Sequence, residues 1–148
     1  MTATIALLLL LTQAPQPSLG PEWQTLPLET AEYASYVRHN ADGTDTKISA
    51  IKTVCACKPE VAAGSVVTAL ATIPESTMKV EHVGLCGVSA LHLVATGLAD
   101  TDERSNMDLY FFRRGDAIYG LRYYFKTAAP QAEDEALLPR LCPAAADA

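Results

Sequence analysis

Residues 107–125 read MDLYFFRRGDAIYGLRYYF, and the reading of this stretch decides the fold. Two apolar and aromatic runs flank Gly115-Asp116. Glycine accepts positive φ without steric cost, so Gly-Asp between two such runs signals a tight turn. In the second run Tyr119, Leu121, Tyr123 and Phe125 fall on one side of an extended chain. Ile118, Gly120, Arg122 and Tyr124 fall on the other. The segment predicts a β-hairpin, the clearest in the chain. Arg114-Gly115-Asp116 also spells a tripeptide that some cell adhesion receptors read, but the turn alone explains the Gly and the Asp. Arg113, Arg114 and Arg122 are expected as a small basic patch, or as strand positions paired with Asp108 or Asp116.

Upstream, AEYASYVRH and TKISAIKTVCAC flank NADGTD, where Asp42-Gly43 marks the turn of another hairpin. Pro59 closes the second strand at Cys57-Lys58 and suits the first turn of a helix. PEVAAGSVVTALATIPE then reads as that helix. Val66, Ala69, Leu70 and Ile73 recur at helical spacing, Glu60 sits near the positive end of the dipole, and Pro74 stops it. MKVEHVGLCGVSALHLVATG lacks convincing helical spacing. It is expected as one long strand bent at Gly84 or Gly87. LADTDERSN reads as a polar turn. PQAEDEALLPRLCP reads as a loop and short helix delivering Leu138, Leu141 and Cys142. The order hairpin, helix, long strand, hairpin, short helix predicts an α+β domain: an antiparallel sheet built from hairpins, with helices packed on its faces.

Two of the four cysteines, Cys55 and Cys57, stand one residue apart in TVCACKPE. In an extended strand their Cα atoms would be about 6.6–7 Å apart, at or past the limit for a mutual disulfide. Their side chains would share a face. Two structural disulfides are therefore expected from Cys55 and Cys57, in either assignment, to Cys86 and Cys142. A bridge from this strand to Cys142 would close a loop of about 85 residues, worth about 4 kcal/mol. A zinc site would want a second close pair of ligands. Copper(I) could use Cys55 and Cys57 alone. A redox pair would want two residues between the cysteines, at a helix start.

The histidines offer less. His39 lies at a turn. His82 and His92, ten residues apart on one expected strand, would stand about 33 Å from each other, too far for a shared metal. No nucleophile elbow and no Gly-rich phosphate loop occurs. No catalytic, cofactor-binding or metal-ligating residue is assigned. The lone Trp23 is expected as a core plug. With Tyr110, Tyr119, Tyr123 and Tyr124 it is also the candidate lining of a ligand pocket.

The 148 residues, 49% hydrophobic and 19% charged, have the composition of a globular domain. A net charge of −6 argues against nucleic acid and anionic lipid as partners. The acids of AAPQAEDEALLP read as a solvated face. Ile5 to Leu11 is an apolar run too short to span a bilayer, followed by Thr12-Gln13-Ala14, small residues of the kind a signal peptidase reads. No Lys or Arg precedes that run. The expected organisation is a signal peptide and linker over 1–20, a single domain over 21–143 and a frayed tail over 144–148, with no membrane span in the mature chain.

From Pro21 to Pro143 the element order resembles the Mog1/PsbP-like α/β/α sandwich group. The similar features are PEWQTLP with its early Trp, a hairpin, a helix, VGLCGVSALHLVATG, the hairpin of residues 107–125 and a short final helix. An NTF2-like cone is the alternative fold, although it would begin with helices. The resemblance implies an accessory or binding role rather than catalysis and transfers no functional residue. The chain is expected to be an exported accessory or binding protein of the bacterial envelope, periplasmic or extracellular, stapled by disulfides, whose partner is a protein or small ligand not named by the sequence. The alternatives are a small-ligand carrier or enzyme with an aromatic-lined pocket, and a thiol- or copper-handling protein using Cys55 and Cys57.

Overall fold

A computed structural model describes residues 16–74, 76–100, 103–127 and 129–144. Seven strands form one antiparallel sheet. They are β1 (Gln24–Thr25), β2 (Glu32–His39), β3 (Asp45–Val54), β4 (Thr77–Leu85), β5 (Val88–Asp100), β6 (Glu103–Arg114) and β7 (Ala117–Phe125), in the order β1-β2-β3-β7-β6-β5-β4. The α+β class is as the sequence implies. Helix α1 (Pro59–Leu70) connects β3 to β4, and α2 (Ala132–Glu135) with a 3₁₀ turn (Leu138–Leu141) follows β7.

Both expected hairpins form. Gly115 takes φ 61° at the first position of the two-residue β6–β7 turn, as a type II′ turn requires. Gly43 takes φ 84° in the β2–β3 connection and donates its N–H to the Asn40 carbonyl. The expected long strand over 78–97 is instead a third hairpin, with Leu85 opposite Val88 across Cys86-Gly87. Both turn residues are left-handed, at φ 55° and 73°, the pattern of a type I′ turn. Gly87 adopts this freely. Cys86 is held there by its disulfide to Cys142 and by Arg114, whose Nη2 donates to the Cys86 carbonyl at 2.6 Å. The polar turn expected around residues 98–106 is narrower than its sequence suggests, because β5 runs to Asp100 and β6 begins at Glu103.

The period-2 alternation of the strands sorts the core into two clusters. On the front face Tyr36, Ile48, Phe112, Tyr119, Leu121, Tyr123 and Phe125 pack beneath Leu138 and Leu141 of the C-terminal segment. Tyr33 donates its hydroxyl to the Leu141 carbonyl at 2.7 Å. Arg38 and Tyr123 both hydrogen-bond the buried Asp134 of α2, and Arg38 lies over the Trp23 ring at 4.8 Å. These contacts fix the segment on the sheet. Residues 16–20, expected as linker, also pack here. Leu19 is buried, Tyr36 donates to the Pro17 carbonyl at 2.6 Å, and Gln16 accepts from the Ser35 N–H at 2.9 Å.

On the back face Leu91, Leu93, Met107, Leu109 and Phe111 pack against Ala63, Val66, Val67, Leu70 and Ile73. Pro59 opens α1 as expected, with Glu60 in its first turn, and the helix ends at Leu70. The apolar stripe is rotated from the expected one: Ala63 is the buried helix residue and Ala69 is exposed. Alpha1 packs chiefly on β5 and β6, so most of the back face over β2, β3 and β7 lies to one side of it.

The disulfides are Cys55–Cys57 and Cys86–Cys142, and neither follows the expected cross-pairing. The expectation failed because β3 ends at Val54. Beyond it the chain bends and brings the Cys55 and Cys57 Cα atoms to 5.3 Å. Arg113 holds that bend, its Nη1 donating to both cysteine carbonyls at 2.8 and 2.9 Å.

Candidate functional site

The part of the back face to one side of α1 carries a polar array produced by register. Across β2, β3 and β7, Ser35 stands opposite Ser49, Ser49 opposite Arg122, and Lys47 opposite Tyr124. These positions alternate with the buried front-face residues Tyr36, Ile48, Tyr123 and Leu121, so the period that builds one core also lines a groove on the other side. Leu26 to Glu29 forms the opposite wall. Its backbone is fixed by the Leu26 N–H donating to the Ser35 carbonyl at 2.9 Å and by Glu29 N–H donating to Glu32 at 2.8 Å. The groove has a volume of about 440 Å³.

Arg122 is its organising side chain. Nε donates to Ser49 Oγ at 2.9 Å and Nη2 to Glu32 Oε2 at 3.2 Å. Those two bonds use two of the five guanidinium donors. Lys47 is exposed at the rim, while Tyr124, Leu26 and Leu28 are half-buried. The arrangement can pair an acidic group with Arg122 and Lys47 and lay an apolar body along Tyr124 and the leucines.

A second cluster lies on the front face. His92 stacks on Tyr110 with ring centroids 4.3 Å apart. Its Nδ1 lies 3.1 Å from Glu81 Oε1 and its Nε2 lies 3.6 Å from Asp108 Oδ1. Asp108 is fully buried, and neither of its oxygens has a hydrogen-bond partner among the described residues. Burial of the His92 ring opposes its charged form, but the nearby Asp108 carboxylate, then Glu81 with its hydrogen bond, outweigh that and raise its pKa above 6.5. Burial, reinforced by Asp108, raises Glu135 above 4.5. The two carboxylates nearest His92 approach different ring nitrogens. Among the described residues no group of three or more His, Cys, Asp or Glu is placed to hold a metal. The cluster can store a proton between His92 and its acids.

The structure separates the residues singled out from sequence. Trp23, Tyr110, Tyr119 and Tyr123 are buried in the front core, and Tyr124 lines the groove on the back. The three arginines form no single patch. Arg113 holds the cysteine bend, Arg114 donates to the Pro143 and Cys86 carbonyls, and Arg122 lies in the groove. His82 and His92 stand on neighbouring strands and opposite faces, since His92 is opposite Glu81 and His82 opposite Leu91. The 33 Å separation expected of one long strand therefore does not hold. Lys47 and Ser49 were missed as site residues. The polar alternation Lys47, Ser49 against buried Ile48, Ala50 was the available signal, but it points to a groove only once β3 is paired with β7.

Fold and site together define an antiparallel α+β domain with two disulfides and a polar groove on half of one sheet face. No protein-family model matches the sequence, and no curated protein matches it. Among solved structures the chain is similar to LpqN, involved in cell envelope biogenesis of Mycobacterium tuberculosis, at 17% identity and a TM-score of 0.48. That match covers 74% of this chain and 66% of LpqN, so the chain spans just under two thirds of LpqN's length. It is also similar to PA94 of Pseudomonas aeruginosa, at 13% identity and a TM-score of 0.54, over 82% of this chain and 81% of PA94. The likeness to PA94 is one of fold.

Proposed function

We propose that this chain is an exported accessory or binding domain of the bacterial envelope, periplasmic or extracellular, and that the Arg122 groove takes a small carboxylate-bearing molecule with an apolar body. The observation that carries the export reading is the pairing of all four cysteines in two disulfides, since such bonds persist in oxidising compartments and are rare in the cytosol. The apolar run Ile5–Leu11 is the export signal in this reading, and it lies outside the described residues. No helix among the described residues is long and apolar enough to cross a membrane. Membership of the Mog1/PsbP-like group belongs to the same proposal. Paired in disulfides, the cysteines offer copper(I) no thiolate; a thiol-handling role would begin from the oxidised Cys55–Cys57 pair.

The test is the intact mass of protein purified from its own host, before and after reduction. Loss of an N-terminal segment ending before Gln16, with four hydrogens gained on reduction, is the expected result. A full-length chain with four free thiols would refute export. Native mass spectrometry of the same material tests the groove. A small acid retained by the wild type is expected to be lost from Arg122→Gln. Equal retention by both proteins, or no acid in either, would remove the groove from the proposal.

A further inference from the structure

The two edges of the sheet differ. Beyond β2 lies β1, only two residues long. The other edge is β4, nine residues without proline, and among the described residues β5 is its only strand partner. A long edge of unpaired backbone groups templates pairing with another strand. Residue parity shows which groups are open. The pair flanking a two-residue hairpin turn is hydrogen-bonded, and in an antiparallel ladder such pairs alternate. Leu85 is opposite Val88, so Leu85, Val83, Glu81, Lys79 and Thr77 face β5. Met78, Val80, His82 and Gly84 turn their N–H and C=O groups outward.

We propose that β4 pairs antiparallel with β4 of a second copy, about a two-fold axis at Val80. That register sets Val80 against Val80 of the partner, and Met78 against His82, joining outward-facing residues to outward-facing residues through about six backbone hydrogen bonds. Val80, 49% exposed, finds apolar cover against Val80 of the second copy. Charge selects the register. Lys79 and Glu81 are on the same face of β4, 3.2 Å apart within one chain. An axis at Val80 places each Lys79 opposite the other chain's Glu81, at positions where cross-strand side chains are closest. Moving the axis to Glu81 sets Glu81 against Glu81, and moving it to Lys79 sets Lys79 against Lys79. Both are repulsive. The occupant of the edge is a second copy because the strand is complementary to itself, and the resulting interface is isologous.

Sedimentation equilibrium of the disulfide-bonded protein over a concentration series tests this. The wild type is expected to dimerise. Lys79→Glu alone and Glu81→Lys alone each place like charges opposite one another twice, and are expected to weaken association by about tenfold or more. Combining them restores complementary pairs and recovers the dimer. Val80→Pro removes an outward N–H that β5 does not use, a position where an edge strand tolerates proline. It is expected to be monomeric with an unchanged far-ultraviolet circular dichroism spectrum. A wild type that stays monomeric throughout would overturn the proposal. So would a dimer that survives Val80→Pro, or a double reversal no better associated than the singles.

Discussion

Replacing Cys86 and Cys142 together by serine should cost far more than replacing Cys55 and Cys57. The first pair is 56 residues apart in sequence and the second only two. In the chain-entropy description a disulfide acts mainly by restricting the unfolded chain, with an entropy that grows as the logarithm of the closed loop. For Cys86–Cys142 this gives about 4 kcal/mol at room temperature, and for Cys55–Cys57 less than about 2 kcal/mol. The native state adds to the difference in the same direction. The long-range bond fastens the segment bearing Leu138 and Leu141, each 2% exposed, over the front core and holds Cys86 in its left-handed turn. The bend at Cys55 and Cys57 keeps its Arg113 hydrogen bonds without the disulfide sulfurs, because those bonds go to carbonyls. Urea unfolding of the two double-serine variants, followed by far-ultraviolet circular dichroism, measures both costs. Equal losses, or a larger loss for Cys55→Ser/Cys57→Ser, would refute the reasoning.

Gly120→Ala should destabilise by about 1–3 kcal/mol, because a Cβ there would meet Ile51 Cγ1 at 2.8 Å and Cδ1 at 3.0 Å. Adding Ile51→Ala removes both atoms, and a thermal melt should show the double variant less impaired by the new methyl than the single one. The contributions of Glu135 and His92 to stability should fall as pH rises. Glu135 and His92 both hold their protons more tightly folded than unfolded, so their contributions are full below 4.5 and 6.5 respectively and are lost as pH climbs through the raised folded values. Urea midpoints across pH should decline above 6.5, and His92→Gln should flatten that part of the profile. A midpoint independent of pH, or a decline unchanged by the substitution, would contradict the His92 geometry.

What the sequence made legible was local. Gly115 and Gly43 stand at turns whose geometry their neighbours could not adopt cheaply, and Pro59 marks a helix start that needs no tertiary information. Cys86-Gly87 was illegible for the opposite reason. A cysteine seldom leads a type I′ turn, and what holds it left-handed is Cys142, far along the chain. Missing that turn kept β4 and β5 as one strand and set His82 and His92 on one face. The cysteine pairing failed at a boundary: residues 55–57, expected as strand, lie beyond the end of β3 at Val54, where the chain bends. Trp23, expected as a core plug, is buried, and Tyr110, Tyr119 and Tyr123, expected as pocket lining, lie in the front core with it; alternation alone does not say which face of a sheet a helix will leave open. The groove depends on β3 meeting β7, a pairing between residues about seventy apart in sequence, and on α1 packing chiefly on β5 and β6.

The disulfides join the first cysteine to the second and the third to the fourth. For a chain delivered N-terminus first across a membrane, as proposed, that order matters. Cys55 and Cys57 emerge together and can be oxidised at once, before any competitor is present. Cys86 then has no free partner until Cys142 arrives, after the last of the seven strands. An oxidase acting on cysteines as they appear would produce the native connectivity without error, so maturation should need an oxidant but no isomerase. The last covalent bond would close only when the whole sheet is available to receive the segment it fastens.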